Sequence, residues 1–180
     1  MKFNEFYSLT IVHSRDIILV KGVDYMNITK QKSQKTFDKQ AADYDTNIQG
    51  EHARKLYKPI IENLKNKNIH SILDLGCGTG ALLKEIKELN IAEQLFGIDI
   101  SPNMLEIAKN KLGNDATLIL GDSERLPFED SSFDAIVCND SFHHYPQPDI
   151  VEKEVSRCLK QNGVFIIGDC CLLYTSDAAD

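Results

Sequence analysis

One stretch limits the possible folds of this chain more than any other: Ile72-Leu73-Asp74-Leu75-Gly76-Cys77-Gly78-Thr79-Gly80. A short apolar run ends in an acid, three glycines follow at alternate positions, and a helical pattern begins at Ala81. That order reads as strand, tight turn and helix start. Glycine lacks Cβ, so the turn can take positive φ and a ligand can approach the backbone closely. The first N–H groups of the helix have no partner within it, and they offer a site for a negative or electron-rich ligand group. Taken alone, a glycine-rich loop is a weak signal, since many strand–helix turns carry one.

The chain beyond the loop strengthens it. Residues 94–99, 116–120, 133–138 and 164–168 read as strands, and residues 101–112 and 149–159 as helices between them. Ser101 is an N-cap with Pro102 at the first helical position, and Gly113 fits the position after the last turn. Asn162-Gly163 reads as a turn before the last strand. Strands alternating with helices predict right-handed crossovers and a parallel sheet. Upstream, Phe37, Ala41 and Tyr44 share one helical face, and the lysines around them form a solvated one. Residues 51–67 are helical, with Pro59 expected to kink them. At 180 residues the chain is long enough for one domain. A net charge of −7 argues against a nucleic-acid backbone as partner.

Parallel sheets bind ligands at the carboxyl ends of their strands. Four such ends here are polar. The first carries Asp74 and the loop glycines Gly76, Gly78 and Gly80. At the second is Asp99, about 20 residues past the loop, where an acid accepts hydrogen bonds from ribose hydroxyls. Asp122 and Ser123 occupy the third, where the acid suits an exocyclic adenine amine and the Ser123 N–H a ring nitrogen. The fourth is Asn139-Asp140-Ser141-Phe142-His143-His144. Helix caps and Asx turns account for any one of these singly, but not for four on one edge.

With these residues in view, the chain resembles a class I S-adenosylmethionine-dependent methyltransferase of the small-molecule, type 11 kind. The matching stretches are residues 73–80, Gly97-Ile98-Asp99-Ile100-Ser101-Pro102-Asn103-Met104, Gly121-Asp122-Ser123-Glu124-Arg125-Leu126-Pro127-Phe128 and Phe133-Asp134-Ala135-Ile136-Val137. The resemblance spans about residues 35–170. It implies a Rossmann-like, doubly wound α/β sheet of five parallel strands in the order 3-2-1-4-5, with helices on both faces. It implies S-adenosyl-L-methionine as cofactor and a small-molecule methyl acceptor as partner, with no nucleic acid, membrane or metal. Asp74, Gly76, Cys77, Gly78 and Gly80 would line the methionine end, with Asp99 on the ribose. Ile100 and Met104 would lie against adenine, Asp122 and Ser123 at its edge, and Asn139 at the fourth strand end. Phe37-Asp38 and Ala42-Asp43-Tyr44-Asp45 resemble the family's N-terminal lid, with Tyr44 toward the cofactor. Gln161-Asn162-Gly163 departs from the usual Pro-Gly-Gly but keeps the turn chemistry.

Two other readings share the loop: a non-catalytic S-adenosylmethionine-binding module, and an NAD(P)-binding Rossmann oxidoreductase. The dinucleotide fingerprint needs G-x-G-x-x-G, whereas position 81 here is Ala81 and Gly80 comes one residue early. Asp74 would also repel a pyrophosphate, while it attracts an ammonium. For proton transfer the candidates are His143 and His144. Asn139-Asp140-Ser141-Phe142 lacks the two prolines of the motif found in amino-methyltransferases acting on DNA.

The ends of the chain read differently. Met26 is the expected natural start and residues 1–25 a non-native or disordered extension, the rival being a genuine N-terminal strand or helix. Residues 26–170 then form the cofactor-binding domain. Residues 171–180 depart from the family's pattern, resemble a translated sequencing adapter and are expected to lack order. The family has two further strands at this point, so the fifth strand is expected to present a bare edge. The five cysteines show no metal-ligand spacing and read as reduced thiols in a cytoplasmic protein.

Overall fold

The computed structural model describes residues 8–13 and 30–169. Its strands are β1 (Ser8–His13), β2 (Ile69–Leu75), β3 (Ala92–Asp99), β4 (Ala116–Leu120), β5 (Phe133–Asn139) and β6 (Leu159–Asp169). Its helices are α1 (Lys30–Gln40), α2 (Ile48–Lys55), α3 (Tyr57–Leu64), α4 (Ala81–Glu88), α5 (Pro102–Leu112) and α6 (Pro148–Cys158). One six-stranded sheet runs β1-β6-β5-β2-β3-β4. Within it β2 to β6 are parallel, and their order across the sheet is the expected 3-2-1-4-5. None of the described helices is long and apolar enough to cross a membrane.

The outer edge differs from expectation. Ser8–His13 pair antiparallel with β6, Ser8 opposite Asp169 and His13 opposite Val164. The bare edge expected beside β6 is therefore covered, and at these six positions the disordered extension becomes a strand. The run Thr10-Ile11-Val12 is β-branched and suits a pleated edge. Strand β6 meanwhile offers a row of backbone groups that need partners. The remainder of residues 1–25, and residues 171–180, lie outside the described residues.

Two local readings also shift. The helix over residues 51–67 breaks at Leu56, three residues before Pro59. Proline lacks the N–H that would bond Lys55 O and its ring crowds that carbonyl, so α2 ends at Lys55. Pro59 then falls in the first turn of α3, where no donor is missed. Asn162 takes a φ of +68° inside β6 and bulges the strand rather than ending it.

Apolar layers cover both faces of the sheet. On one, Leu56, Ile60 and Leu64 of α2–α3 and Leu82, Leu83 and Ile86 of α4 pack on Ile72, Leu95, Val137 and Ile166. On the other, Val151, Val155 and Cys158 of α6 pack with Phe142 and Leu126 on Leu73, Leu75, Ile136 and Phe165. The central strands are buried on both sides, which explains their continuous apolar runs. These layers fix the carboxyl ends of β2, β3, β4 and β5 side by side.

Candidate active site

The loop after β2 has the conformation its glycines allow. Gly76, Gly78 and Gly80 take φ of +75°, +51° and +73°. A Cβ on Gly76 would come within 2.1 Å of Ser141 Oγ, and one on Gly80 within 2.8 Å of Leu112 on α5. A Cβ on Gly78 would meet nothing within 4 Å. Gly76 and Gly80 thus allow close packing, and Gly78 borders open space.

Asp99 braces this loop. Its Oδ2 accepts the Gly78 N–H at 2.8 Å and its Oδ1 the Ser101 N–H at 2.8 Å. Burial raises its pKa, and the backbone donors at Ser101, Gly78 and Ile100 work against that rise. Ser101 caps α5 as expected, its Oγ accepting from Met104 N at 3.1 Å. Asp74, at the end of β2, is almost completely buried, and its Oδ1 has no hydrogen-bond partner. Burial first, and the charge of Asp99 second, push its carboxyl up to about 8.

These strand ends open into a cavity of about 510 Å³ including its mouth. Gly76, Asp99, Ile100, Asp122, Ser123 and His144 line it, together with Lys30, Phe37, Glu124, Ser141 and Tyr145. The loop carrying Asp122 and Ser123 is held from behind by α6. Arg157 donates to Phe128 O at 2.7 Å and Leu126 O at 3.0 Å, and Glu154 accepts Leu126 N–H at 2.8 Å.

Helix α1 and the turn after it form one wall and resemble a lid. Lys30 Nζ reaches Asp122 Oδ2 at 2.6 Å and Glu124 Oε2 at 2.5 Å. Phe37 meets the His144 ring edge-on at 5.1 Å and Tyr44 at 6.4 Å. Asp38 accepts from Ser101 Oγ at 2.5 Å, and Asp45 from Thr79 Oγ1 at 2.6 Å and Lys111 Nζ at 2.7 Å. Two acids thus tie the lid to the start of α5 and to the glycine loop. Burial, with Asp140 and Asp99 nearby, pushes the Tyr44 phenol up to about 12.

Several sequence-named residues lie elsewhere. Met104 is buried in the core under α5 rather than lining the cavity. Cys77 points its sulfur inward, over Gly97, so only its backbone belongs to the loop. Asn139 turns back to α2, donating to Ala53 O at 3.2 Å, and leaves its Oδ1 buried without a partner. Asp74, Tyr44, Gly78 and Gly80 border the site without lining the cavity itself.

Residues 73–167 match the profile of a methyltransferase domain family. The chain belongs to this methyltransferase family. Sterol 4-C-methyltransferase strm-1 of Caenorhabditis elegans is 35% identical, over 71% of this chain and 38% of that protein. Demethylmenaquinone methyltransferase of Thermotoga maritima is 34% identical, over 77% of this chain and 62% of that protein. The solved structure of YcgJ protein from Bacillus subtilis superposes with a TM-score of 0.60 at 28% identity, covering 64% of this chain and 50% of that one. The chain therefore spans less than two thirds of the length of these curated relatives.

Sequence reasoning missed Lys30, Ser141 and Tyr145 as wall residues. Lys30 lies 92 residues from its partner Asp122, a pairing no local pattern encodes. Ser141 and Tyr145 bond to each other at 2.9 Å across a turn. Both pack against Gly76, where a Cβ would come within 2.1 Å of Ser141 Oγ and 3.1 Å of the Tyr145 hydroxyl.

Proposed function

We propose that this methyltransferase-family chain binds S-adenosyl-L-methionine in the cavity and transfers its methyl group to a small-molecule acceptor. Residues 26–170 would be the cofactor-binding domain. The observation that carries the reading is the convergence of Gly76, Asp99 and Asp122–Ser123, from three adjacent strand ends, in one cavity. The orphaned, buried Asp74 Oδ1 supports it, because a buried carboxyl without a partner fits a cationic ligand group. Asp99 would take the ribose hydroxyls on lone pairs left free by Gly78 and Ser101. Asp122 and Ser123 would take the adenine edge beside Ile100.

When bound, this cofactor supplies an electrophilic methyl on a sulfonium centre. The chain's own contribution is alignment and exclusion of water. The tethered lid, with Phe37 against His144, covers one side of the cavity. A dinucleotide fits poorly: three acids, Asp99, Asp122 and Glu124, line the cavity against one lysine, and a pyrophosphate would be repelled. Buried free thiols at Cys77, Cys138 and Cys158 support a reducing, cytoplasmic setting.

Calorimetry tests the reading. S-adenosylmethionine or its demethylated product should bind, and NAD⁺ should not. Tritiated methyl incorporation into an acceptor separates an enzyme from a binding module. Preferential binding of NAD⁺ would sink the proposal.

A further inference from the structure

Helix α1 turns Lys30, Ser33 and Phe37, residues of one helical face, toward the cavity. Lys30 Nζ stands between two carboxylates there, 2.6 Å from Asp122 Oδ2 and 2.5 Å from Glu124 Oε2. Both Asp122 oxygens are engaged, because Oδ1 accepts the Glu124 N–H at 3.0 Å. Glu124 is different. Its Oε2 also accepts from Gln147 Nε2 at 2.9 Å, while its Oε1 is buried with no hydrogen-bond partner. The Glu124 side chain is only 7% exposed, yet it lines the cavity. Ser33 Oγ, on the α1 wall, is likewise buried and unpartnered. Buried polar atoms are nearly always paired, so two orphans beside one ammonium point to a polar group that binds here. The two ion pairs are also unequal. Lys30 and Asp122 are 33% and 40% exposed, so water screens their contact and it opens at little cost. The contact with Glu124 is the sheltered one.

We propose that Lys30 is an internal competitor for the position of the adenine amine at Asp122, and that Glu124 takes Lys30 over when the nucleoside of S-adenosylmethionine binds. This rests on the methyl-transfer reading above, which gives Asp122 to that amine. In this structure Asp122 Oδ2 already holds a nitrogen donor, the Lys30 ammonium. An exocyclic amine donates and needs the same acceptor. As it arrives, Lys30 moves from its shared position onto Glu124 alone, where Oε1 offers the second acceptor. One ammonium stays paired with the sheltered carboxylate throughout, so the exchange strands no buried charge. The start of α1 also stays tied to the cavity wall. The exchange sets specificity at the purine edge. A purine with a carbonyl in place of the amine presents an acceptor to Asp122 and is repelled. The Lys30 ammonium can donate to that carbonyl and offset the repulsion. Lys30 therefore weakens the site's preference for an amine, and Asp122 with Glu124 creates it.

The test uses the full chain, with Lys30→Met and Glu124→Gln. Calorimetry measures S-adenosylhomocysteine and its deaminated analogue S-inosylhomocysteine, which carries the carbonyl. The readout is the ratio of the two affinities, because any change in the lid that acts on both ligands cancels. Lys30 is at the partly exposed start of α1, so Lys30→Met leaves the core untouched. It should raise the ratio about tenfold or more, since the amine loses its competitor and the carbonyl loses a charged donor. Glu124→Gln should lower the ratio below the wild-type value, because Lys30 is then held on Asp122. A ratio in Lys30→Met that is unchanged or lower would overturn the proposal and make Lys30 a plain tie for the lid. A ratio that rises in Glu124→Gln would remove the role given to Glu124. Binding of S-adenosylhomocysteine alone, weakened in Lys30→Met, would keep the parent reading and overturn this one. A wild type that binds neither ligand would overturn both.

Discussion

The Gly78 amide donates to Asp99 Oδ2 at 2.8 Å, so the acid ending β3 holds in place the loop that ends β2. Together with the Ser101 amide on Oδ1, this makes Asp99 a brace between the glycine loop and the start of α5. The same residue also lines the cavity. A brace and a ligand contact should fail together. Asp99→Ala is expected to weaken cofactor binding by about 1–3 kcal/mol, the cost of removing a charged acceptor. Amide exchange at Gly78 and Ser101 should speed up in the same variant. Equal wild-type affinity for the cofactor and its 2′-deoxy analogue would assign Asp99 to the brace alone.

The loop glycines should divide into two kinds. Gly76→Ala puts a methyl within 2.1 Å of Ser141 Oγ at a φ of +75°, so Ser141 and Tyr145 must move. It should lower the melting temperature and loosen the cavity wall. Gly78→Ala meets open space and carries only the left-handed penalty, about 1 kcal/mol. Gly78→Val should remain folded yet lose cofactor binding, because its branched Cβ enters the open space. Thermal melts with calorimetry distinguish the two; unchanged affinity in a folded Gly78→Val would count against a ligand at that loop.

The strands and helices were legible because their ends carried local chemistry, and the strand order came with the family resemblance. Ser101-Pro102 caps a helix, and Asp74, Asp99 and Asp122 close apolar runs at spacings a parallel sheet imposes. What the sequence could not convey were contacts set by tertiary packing. The edge beside β6 reads as bare, but Ser8–His13 lie far from it in sequence, and no local pattern names them as its partner. The family resemblance also assigns Met104 and Cys77 to the ligand. The packing of α5 and Gly97 turns their side chains into the core instead. His143 and His144 look equivalent as adjacent residues. Only the distant carboxylate of Asp169, 2.8 Å from His143 Nδ1, separates them.

Asp74 gives a pH signature for a cationic ligand. Its folded pKa, about 8, is far above the ordinary aspartate value. In the ligand-free chain its contribution to stability is present below about pH 4 and is lost as pH rises through about 8. Asp74→Asn should therefore become more stable than the wild type across that window, as urea melts would register. A bound ammonium reverses the sign by favouring the carboxylate. Cofactor affinity should rise between about pH 6 and pH 8, with proton release seen as buffer-dependent calorimetric heat. Asp74→Asn should abolish that release. Identical heats in buffers of different ionisation enthalpy would mean that Asp74 does not meet the cation.

Asp134 has the opposite sign, at the other end of the same sheet. Its Oδ2 accepts the His70 N–H at 3.0 Å, the Ser71 N–H at 2.9 Å and Lys160 Nζ at 2.9 Å. One carboxylate on β5 thus joins β2 to β6 away from the cavity. Burial raises its pKa, but Lys160 and the Ser71 donors outweigh burial and hold it below the usual aspartate range. Its contribution is therefore present above about pH 4 and disappears as pH falls through the lowered folded value. Asp134→Ala should cost about 1–3 kcal/mol at pH 7, since several donors lose their acceptor together. The difference between wild type and Asp134→Asn should shrink as pH drops below about 4, which isolates this group from other carboxylates. Cofactor affinity should not change, because Asp134 is at the amino end of β5 and outside the cavity. A loss of binding without a loss of stability would show that the two ends of the sheet are coupled.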